Sequence, residues 1–276
     1  YGPLLAGATT VLYEGKPVGT PDASAFWRVL REHGVDIFFT APTAVRAIRK
    51  EDPDLALMGE RASTLKAVFL AGERADPATL EWLEAKLQLP VIDHWWQTET
   101  GWPAIATCFG LGRTETLFGS AGHPVPGYAF EVLDTEGKPL PAGEIGELVI
   151  RLPLPPGCLP TLWRNHEGFV GSYLSRHAGY YSAGDAGFIS DDGRIHIMSR
   201  IDDIINVAGH RLSTAGIEQI IGGHPAVAEC AVVGAADALK GMLPVALFVR
   251  KANGNADDRT VAQEIVARVR NELGPV

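Results

Sequence analysis

The chain has 276 residues, of which 46% are hydrophobic, and its formal net charge is −9. This length and apolar content suffice for one large or two smaller folded domains, which excludes a disordered or fibrous protein. Acidic and basic residues are interspersed without a basic block, so the sequence predicts no binding to nucleic acid or to an anionic membrane surface.

Helical and strand patterns alternate between residues 21 and 93. Strands are predicted over residues 35–42, 65–73 and 89–93, and helices over 21–34, with Asp22 as a possible N-cap, 42–50 and 76–88. This alternation is typical of an α/β layer with parallel strands. Ligand sites of such layers lie beyond the carboxyl ends of the strands, so the loops 71–76 and 93–103 are candidate binding loops.

After residue 119 the sequence changes to short alternating runs separated by Pro and Gly. Two strands flank turn residues within 127–152, and a hairpin is predicted to turn at 191–193, which together indicate a small all-β subdomain. From residue 203 the patterns predict a helix, two strands and a final helix. The predicted fold is therefore α/β, then β, then α+β, divided as 1–118, 119–201 and 202–276.

The stretch DHWWQTETGWP, residues 93–103, places two tryptophans directly beside hydroxyl-bearing and acidic residues. An apolar wall next to a polar cluster suits a ligand that has both an aliphatic and a charged part. The end of a core strand followed by its polar exit turn also explains this pattern, so the stretch alone leaves both interpretations open.

Two further stretches carry charged groups at turns. SAGD, residues 182–185, puts a short carboxylate on a glycine turn, which suits a ribose diol, although most such turns only close hairpins. SRIDDIINVAGHRLST, residues 199–214, contains two arginines and two aspartates. It is either a charged surface or a hinge that handles anions, because arginine favours phosphate and planar partners. Its apolar Ile204, Ile205 and Val207 predict partial burial.

Sequence motifs of several other nucleotide-binding and hydrolytic protein families are absent. The sequence contains no G-x-x-x-x-G-K-[ST] loop, no G-x-G-x-x-G after a strand, no H-E-x-x-H and no G-x-S-x-G. The three cysteines are widely separated, which favours a reducing compartment over a disulfide framework.

Taken in order, AGERAD, DHWWQTETG, YYSAGD and SRIDDIINVAGHRLSTAGIE resemble the adenylate-forming (AMP-binding) superfamily. They are most similar to the acetyl- and propionyl-CoA synthetase group, closest to its propionyl-CoA synthetases. The resemblance implies the large domain in part and most of the mobile C-terminal lid. It also implies that a small carboxylic acid, propionate or acetate, reacts with ATP and magnesium to an acyl-adenylate, from which coenzyme A displaces AMP.

The resemblance implies roles for individual residues. Thr98, Arg200 and Arg211 contact phosphate or ribose, and Glu99 is the magnesium carboxylate. Residues for the nucleotide and for coenzyme A are Gly72, Glu73, Arg74, Asp93, Gln97, Asp185 and Gly209.

The resemblance also implies an acyl pocket and a hinge. Trp96 would close the pocket, and Ala71 stands where acetate-specific members carry Val. The smaller side chain would admit one more methylene, which predicts a preference for propionate. Asp202 matches the hinge residue about which the lid rotates.

The chain also departs from the family pattern. Ser199, Ala183 and Gly216 replace more usual residues, and both the phosphate loop and the lid lysine lie outside the sequence. We therefore expect a fragment without ATP-dependent ligase turnover of its own. Two alternatives stay open, namely a non-catalytic AMP- and coenzyme A-binding module or half of a split enzyme, and an adenylating enzyme with a carrier-protein acceptor. The expected location is the cytoplasm, or the mitochondrial matrix for a eukaryotic homologue, and an oligomer is compatible with the resemblance.

Overall fold

The computed structural model describes residues 2–73, 75–112, 115–207, 210–238, 240–251 and 257–274, with the backbone alone at positions 202, 206 and 211. The chain divides into two compact units, Tyr1–Ala183 with Phe188–Ile197, and Gly184–Gly187 with Met198–Val276. Two hydrophobic clusters form the core of the first unit and a third forms the core of the second. The division at residues 118 and 201 stays a prediction.

The first unit begins with the predicted α/β layer. Strands β1, β2 and β3 pair in parallel and in sequence order, so that Leu70 lies between Thr40 and Asp93. This confirms the predicted layer. Its elements are α1 (Gly2–Leu5), α2 (Ala25–Glu32), β1 (Ile37–Thr40), α3 (Pro42–Glu51), β2 (Ala67–Leu70), α4 (Pro77–Leu87) and β3 (Val91–Asp93).

The start of α2 differs from the prediction. The helix begins at Ala25 with Ser24 in the N-cap position, not at Asp22. The carboxylate of Asp22 instead accepts the backbone N–H of Ser24 at 2.8 Å, which stabilises the turn before the helix. A capping residue and a turn-forming aspartate look alike in a sequence, because both use a side-chain oxygen to accept a nearby backbone N–H.

Helical spacing explains the core of this layer. Trp27 and Leu30 in α2, Val45 and Ile48 in α3, and Leu80, Leu83 and Leu87 in α4 repeat at intervals of three or four residues. This spacing places them on one face of each helix. All are buried in one cluster with Val68 and Leu70 of β2.

The remainder of the first unit is mainly β structure. Its elements are β4 (Ile105–Ala106), β5 (His123–Pro124), β6 (Phe130–Leu133), β7 (Gly146–Arg151), α5 (His166–Tyr173), β8 (Tyr180–Ile189) and β9 (Ile195–Arg200), although residues 184–187 of β8 and 198–200 of β9 belong to the second unit. Strands β4 and β5 pair with each other, and the other four form a sheet in the order β6-β7-β8-β9. The predicted turn at 191–193 is present, since Gly193 N–H donates to the Ser190 carbonyl at 2.8 Å.

Helix α5 is present in the structure but was not predicted from the sequence. It is only eight residues long and contains Gly168 and Gly171, which weaken a helical pattern. Its start is fixed by the side chain of Asn165, which accepts the backbone N–H of Gly168 at 2.9 Å.

The second unit is an α+β structure. Its further elements are β10 (Ile204–Val207), β11 (His210–Ser213), α6 (Thr214–Gly222), β12 (Val227–Asp237), β13 (Gly241–Arg250) and α7 (Asp258–Leu273), with the sheet order β11-β10-β13-β12. The predicted order of helix, strand, strand and helix is confirmed. Strands β10 and β11 were not predicted, although Ile205 and Val207 are buried as expected. Four residues are too few for a clear alternation.

Candidate active site

Two loops begin at the same edge of the parallel sheet. The Ala71 N–H donates to the Thr40 carbonyl at 3.3 Å, and the His94 N–H donates to the Leu70 carbonyl at 3.2 Å. We call residues 71–76 the β2 loop and residues 94–103 the β3 loop. Because the sheet is parallel, both loops leave its carboxyl edge, where ligands of such sheets bind.

In the β2 loop, most described polar groups are engaged by neighbouring helices. One carboxylate oxygen of Glu73 accepts the backbone N–H of Thr43 at 2.5 Å and also its hydroxyl, while the other lies 3.1 Å from the guanidinium of Arg46. Asp76 caps α4 by accepting the Thr79 N–H at 2.9 Å. The carboxylate of Glu73 thus stabilises the start of α3.

The small residues of the β2 loop leave space. Ala71 is buried, whereas Gly72 is exposed and has a φ of +100° that disfavours a side chain. A Cβ at Gly72 would meet no atom within 4 Å. A larger residue is therefore disfavoured at this position by the positive φ and not by a lack of space. Arg74 lies outside the described residues.

The β3 loop begins with a buried imidazole. His94 is 3% exposed, lies edge-on to the rings of Phe39 and Phe69, and its Nδ1 has no hydrogen-bond partner among the described residues. Burial lowers the pKa of His94 to about 4, against the opposing effect of backbone contacts to Leu70 and Ile92. The imidazole is therefore neutral at pH 7 and packs as an uncharged ring at the start of the β3 loop.

The residues on either side of His94 are more accessible. Asp93, the last residue of β3, is half-buried. The Trp95 ring lies edge-on to Phe130 at 5.8 Å between centroids, and Trp96 is 40% exposed. Trp95 therefore contributes to the hydrophobic cluster of the β region, whereas Trp96 presents an apolar surface at the loop.

A short 3-10 helix, Thr98–Thr100, carries the polar cluster. The Gln97 N–H donates to the hydroxyl of Thr100 at 3.0 Å, and the hydroxyl of Thr100 is buried and also reaches the carbonyl of Trp102 at 2.8 Å. Thr98 is exposed and Glu99 is half-buried. The turn therefore uses Thr100 internally and leaves Thr98 and Glu99 at its surface.

Side chains from later in the chain hold the turn. The hydroxyl of Tyr181 donates to Gln97 Oε1 at 2.9 Å, and Gln97 Nε2 donates to the carbonyl of Ala183 at 2.7 Å. The hydroxyl of Tyr173 donates to Glu99 Oε1 at 2.6 Å. Tyr181 stands in the motif YYSAGD, but nothing in the sequence pattern pointed to Tyr173, because α5 itself was not predicted.

The back of the turn is closely packed. Gly101 has a φ of +72°, and a Cβ there would lie 2.8 Å from the carbonyl oxygen of Gly157. Tyr128 is buried and its hydroxyl donates to the carbonyl of Thr100 at 3.2 Å, and burial raises the pKa of this phenol. The positive φ and the close approach of the Gly157 carbonyl explain why position 101 requires glycine.

The second unit contains another part of the sequence-predicted site. Asp185 is 6% exposed, and its Oδ1 lies 3.7 Å from Arg200 Nη1. Gly184, the residue before Asp185 in β8, has a φ of +71°, and a Cβ there would lie 2.7 Å from Arg200 Nη2. SAGD is therefore part of strand β8 and not the predicted glycine turn, and position 184 needs glycine because the guanidinium approaches the backbone there. Gly209 lies outside the described residues, as do the side chains of Arg211 and Asp202.

Within the part of the chain that the structure describes, no group of three or more His, Cys, Asp or Glu side chains is arranged to hold a metal ion. Within the same part of the chain, the helices are too short or too polar to cross a membrane.

Family models match most of the chain. The model described as "AMP-binding enzyme" matches residues 1–155, and that described as "AMP-binding enzyme C-terminal domain" matches residues 216–276. These two matches cover both the β2 and β3 loops and most of the described second unit.

Curated relatives are similar over the whole chain. A protein named "Acyl-CoA synthetase short-chain family member 3, mitochondrial" from Mus musculus is 53% identical over 278 residues, which is 100% of this chain and 41% of the relative. "Propionate--CoA ligase" from Escherichia coli (strain K12) is 42% identical over 280 residues, 99% of this chain and 44% of the relative. The chain thus spans less than half the length of these relatives.

Solved structures have a similar fold. The amide bond synthetase McbA from Marinactinospora thermotolerans matches with a TM-score of 0.76 and 25% identity, covering 98% of this chain and 51% of that one. The anthranilate CoA ligase AuaEII in complex with anthranoyl-AMP matches with a TM-score of 0.73 and 27% identity, covering 96% and 48%.

Proposed function

Since the chain belongs to the AMP-binding enzyme family, we propose that its protein is a short-chain acyl-CoA synthetase. The observation that carries the proposal is the arrangement of the β3 loop. The exposed Trp96 is followed, after one intervening residue, by the exposed Thr98 and the half-buried Glu99. An acid with a short aliphatic tail, joined to phosphate during the reaction, needs an apolar and a polar surface side by side. Relatives named as short-chain acyl-CoA synthetases and propionate ligases support this choice.

The proposed reaction has two steps. A carboxylate oxygen of the acid attacks the α-phosphorus of ATP. The mixed-anhydride bond of an acyl-adenylate forms, and the bond from the α-phosphorus to pyrophosphate breaks, so that pyrophosphate leaves. The thiol of coenzyme A, on losing its proton, then attacks the acyl carbonyl carbon, and AMP leaves. Negative charge develops on the α-phosphate in the first step, so preorganised donors there lower the barrier most. Thr98, an exposed residue that carries a hydroxyl, is the proposed donor.

Glu99 fits the magnesium ion that the family implies. Its carboxylate is half-buried, Oε1 is bound by Tyr173, and Oε2 has no partner among the residues that the structure describes. Carboxylate oxygens are the ligands that Mg²⁺ prefers in proteins. When bound, the ion would neutralise phosphate charge. The contribution of the protein is to keep a charged oxygen available beside Thr98.

Nucleotide roles are also proposed for Gly72, Asp93, Asp185 and Arg200. The exposed Gly72 leaves its backbone open to a flat base, and the half-buried Asp93 ends β3 at the same sheet edge. The buried Asp185, whose Oδ1 lies 3.7 Å from Arg200 Nη1, is proposed to bind the ribose hydroxyls. The proposed nucleotide and coenzyme A roles of Glu73, Arg74, Gln97, Arg211 and Gly209, and the hinge role of Asp202, rest on the family resemblance.

The proposed acyl pocket has Ala71 and Trp96 at its wall, each in one of the two loops that leave the same sheet edge. In the full-length protein, Ala71→Val would add two methyl groups at a buried position and should lower kcat/KM for propionate relative to acetate about tenfold or more. Both acids are measured with wild type and variant. An unchanged ratio of kcat/KM values would overturn the assignment of Ala71 to the pocket.

Pyrophosphate release tests the function itself. The full-length protein should release pyrophosphate from ATP and magnesium only when propionate or acetate is present, and addition of coenzyme A should yield acyl-CoA. Glu99→Gln keeps the shape but removes the charge, and should lower the rate of release about 100-fold. Glu115→Gln, at a carboxylate with 89% exposure, is the matched control. Wild type without acid-dependent release would overturn the proposal, and release without acyl-CoA formation would indicate another acceptor.

A further inference from the structure

We propose that Tyr173 is a positioning residue that holds the carboxylate of Glu99 in the orientation required for a divalent cation. This inference rests on the proposed function, because it concerns the same cation. Its basis is the 2.6 Å hydrogen bond from the Tyr173 hydroxyl to Glu99 Oε1. The bond joins the end of α5 to a turn 74 residues earlier in the chain.

Ring packing fixes the position of the Tyr173 hydroxyl. The ring of Tyr173 stacks on that of Tyr181 with 5.4 Å between centroids and an angle of 4° between planes. It also contacts the ring of the buried Phe169, one turn earlier in α5, at 5.5 Å. Tyr181 is 1% exposed and belongs to the core of the β region. The hydroxyl is thus supported by rigid neighbours, as a precise site requires.

A phenol suits this task chemically. It donates one hydrogen bond and carries no charge, so it orients the carboxylate without neutralising it. A lysine or arginine in its place would reduce the attraction of Glu99 for a cation. With Oε1 bound by the phenol, Oε2 has no partner among the described residues. The backbone of Glu99 is fixed as well, since its carbonyl accepts the Leu159 N–H at 2.7 Å. Hydrogen bonds of this kind to metal ligands commonly set their orientation.

The same pair of rings holds both sides of Thr98. Tyr181 donates to Gln97 at 2.9 Å and Tyr173 donates to Glu99 at 2.6 Å, while the two phenols stack on each other. Thr98 therefore lies between two side chains that a single aromatic stack orients. This arrangement couples the placement of the proposed α-phosphate donor to that of the proposed metal carboxylate.

The test is Tyr173→Phe in the full-length protein, with Tyr180→Phe as the matched control. The hydroxyl of Tyr180 donates to Glu131 Oε2 at 2.6 Å, so the control removes the same kind of bond away from the β3 loop. Binding of Mn²⁺ in the presence of ATP is measured by electron paramagnetic resonance. Tyr173→Phe should weaken Mn²⁺ binding about tenfold and should raise the half-saturating Mg²⁺ concentration for ATP–pyrophosphate exchange. Transfer from a synthetic acyl-adenylate to coenzyme A should stay within about twofold of wild type, because the proposed role of the cation is to neutralise phosphate charge in the first step.

Three results would overturn the inference: Mn²⁺ binding equal to wild type, an equal loss in both half-reactions, or the same loss in Tyr180→Phe. The double variant with Glu99→Gln keeps the test valid if Tyr173→Phe also lowers stability. If Tyr173 acts through Glu99, its substitution should weaken Mn²⁺ binding no further in the Glu99→Gln background. A wild type that shows no exchange at all, yet is folded, would instead overturn the proposed function and this inference with it.

Discussion

The β2 and β3 loops leave neighbouring strands of one sheet but are stabilised in different ways. Glu73 and Asp76 of the β2 loop bind the starts of α3 and α4, which are helices of the same α/β layer. Gln97 and Glu99 of the β3 loop bind residues 74 to 86 positions later, in α5 and β8. The β2 loop is thus completed by its own layer, whereas the β3 loop takes its shape from the β region.

This difference shows how one sheet edge can carry two kinds of binding surface. The β2 loop presents mainly backbone and a small side chain, because its described carboxylates are already engaged. The β3 loop presents functional groups, because separate elements hold its side chains without removing their charge. Substitutions in the β3 loop should therefore lower the free energy of unfolding more than substitutions in the β2 loop. The following predictions test that expectation in order of decreasing effect.

The largest effect is expected at Gly101. Gly101→Ala forces a positive φ on alanine and brings its Cβ to 2.8 Å from a backbone oxygen, which should lower the free energy of unfolding by about 3 kcal/mol. Gly72→Ala is the matched variant in the β2 loop, with a positive φ but open space, and should cost about 1 kcal/mol. Chemical denaturation of both variants gives the comparison. Equal costs would show that the β3 loop is no more closely packed than the β2 loop.

The next effect concerns pH and His94. Burial lowers its pKa to about 4 from an ordinary value of 6.5, so below pH 6.5 the unfolded chain binds the proton that the folded chain excludes. Stability is therefore full above pH 6.5 and falls as the pH approaches 4, by about 2 kcal/mol between pH 7 and pH 5. His94→Phe should remove this part of the pH dependence. Denaturation of both proteins at pH 7, 6 and 5 measures it, and parallel curves would contradict the prediction.

The smallest effect is expected in the β2 loop. Asp76→Ala removes the N-cap of α4 and should lower the free energy of unfolding by about 1 kcal/mol. Asp76→Asn keeps an acceptor and should cost only a few tenths of that amount. Both are measured by chemical denaturation. A loss above that of Gly101→Ala would reverse the order of the two loops.

Most of the fold followed from the sequence because apolar spacing and turn residues decide it locally. The helices α3 and α4 and strands β1 to β3 show these signals clearly. Helix α5 and strands β10 and β11 did not, since short elements depend on packing with distant parts of the chain.

The candidate site was only partly predictable for the same reason. The positions of Trp96, Thr98 and Glu99 came from a motif, and their roles stay predictions. Two contacts could not be predicted. The hydrogen bond from Thr43 in α3 to Glu73 joins residues 30 positions apart, and that from Tyr173 to Glu99 joins residues 74 positions apart. A sequence pattern records neighbours along the chain, and these contacts exist only after the elements pack.

The long-range bonds of the β3 loop also set an order of events during protein synthesis. Tyr173 leaves the ribosome 74 residues after Glu99. At about 5–20 residues per second this delay is about 4 to 15 s. During that interval the α/β layer can fold, while Gln97 and Glu99 still lack the partners that order their loop. The β3 loop therefore reaches its final arrangement later in synthesis than the sheet from which it extends.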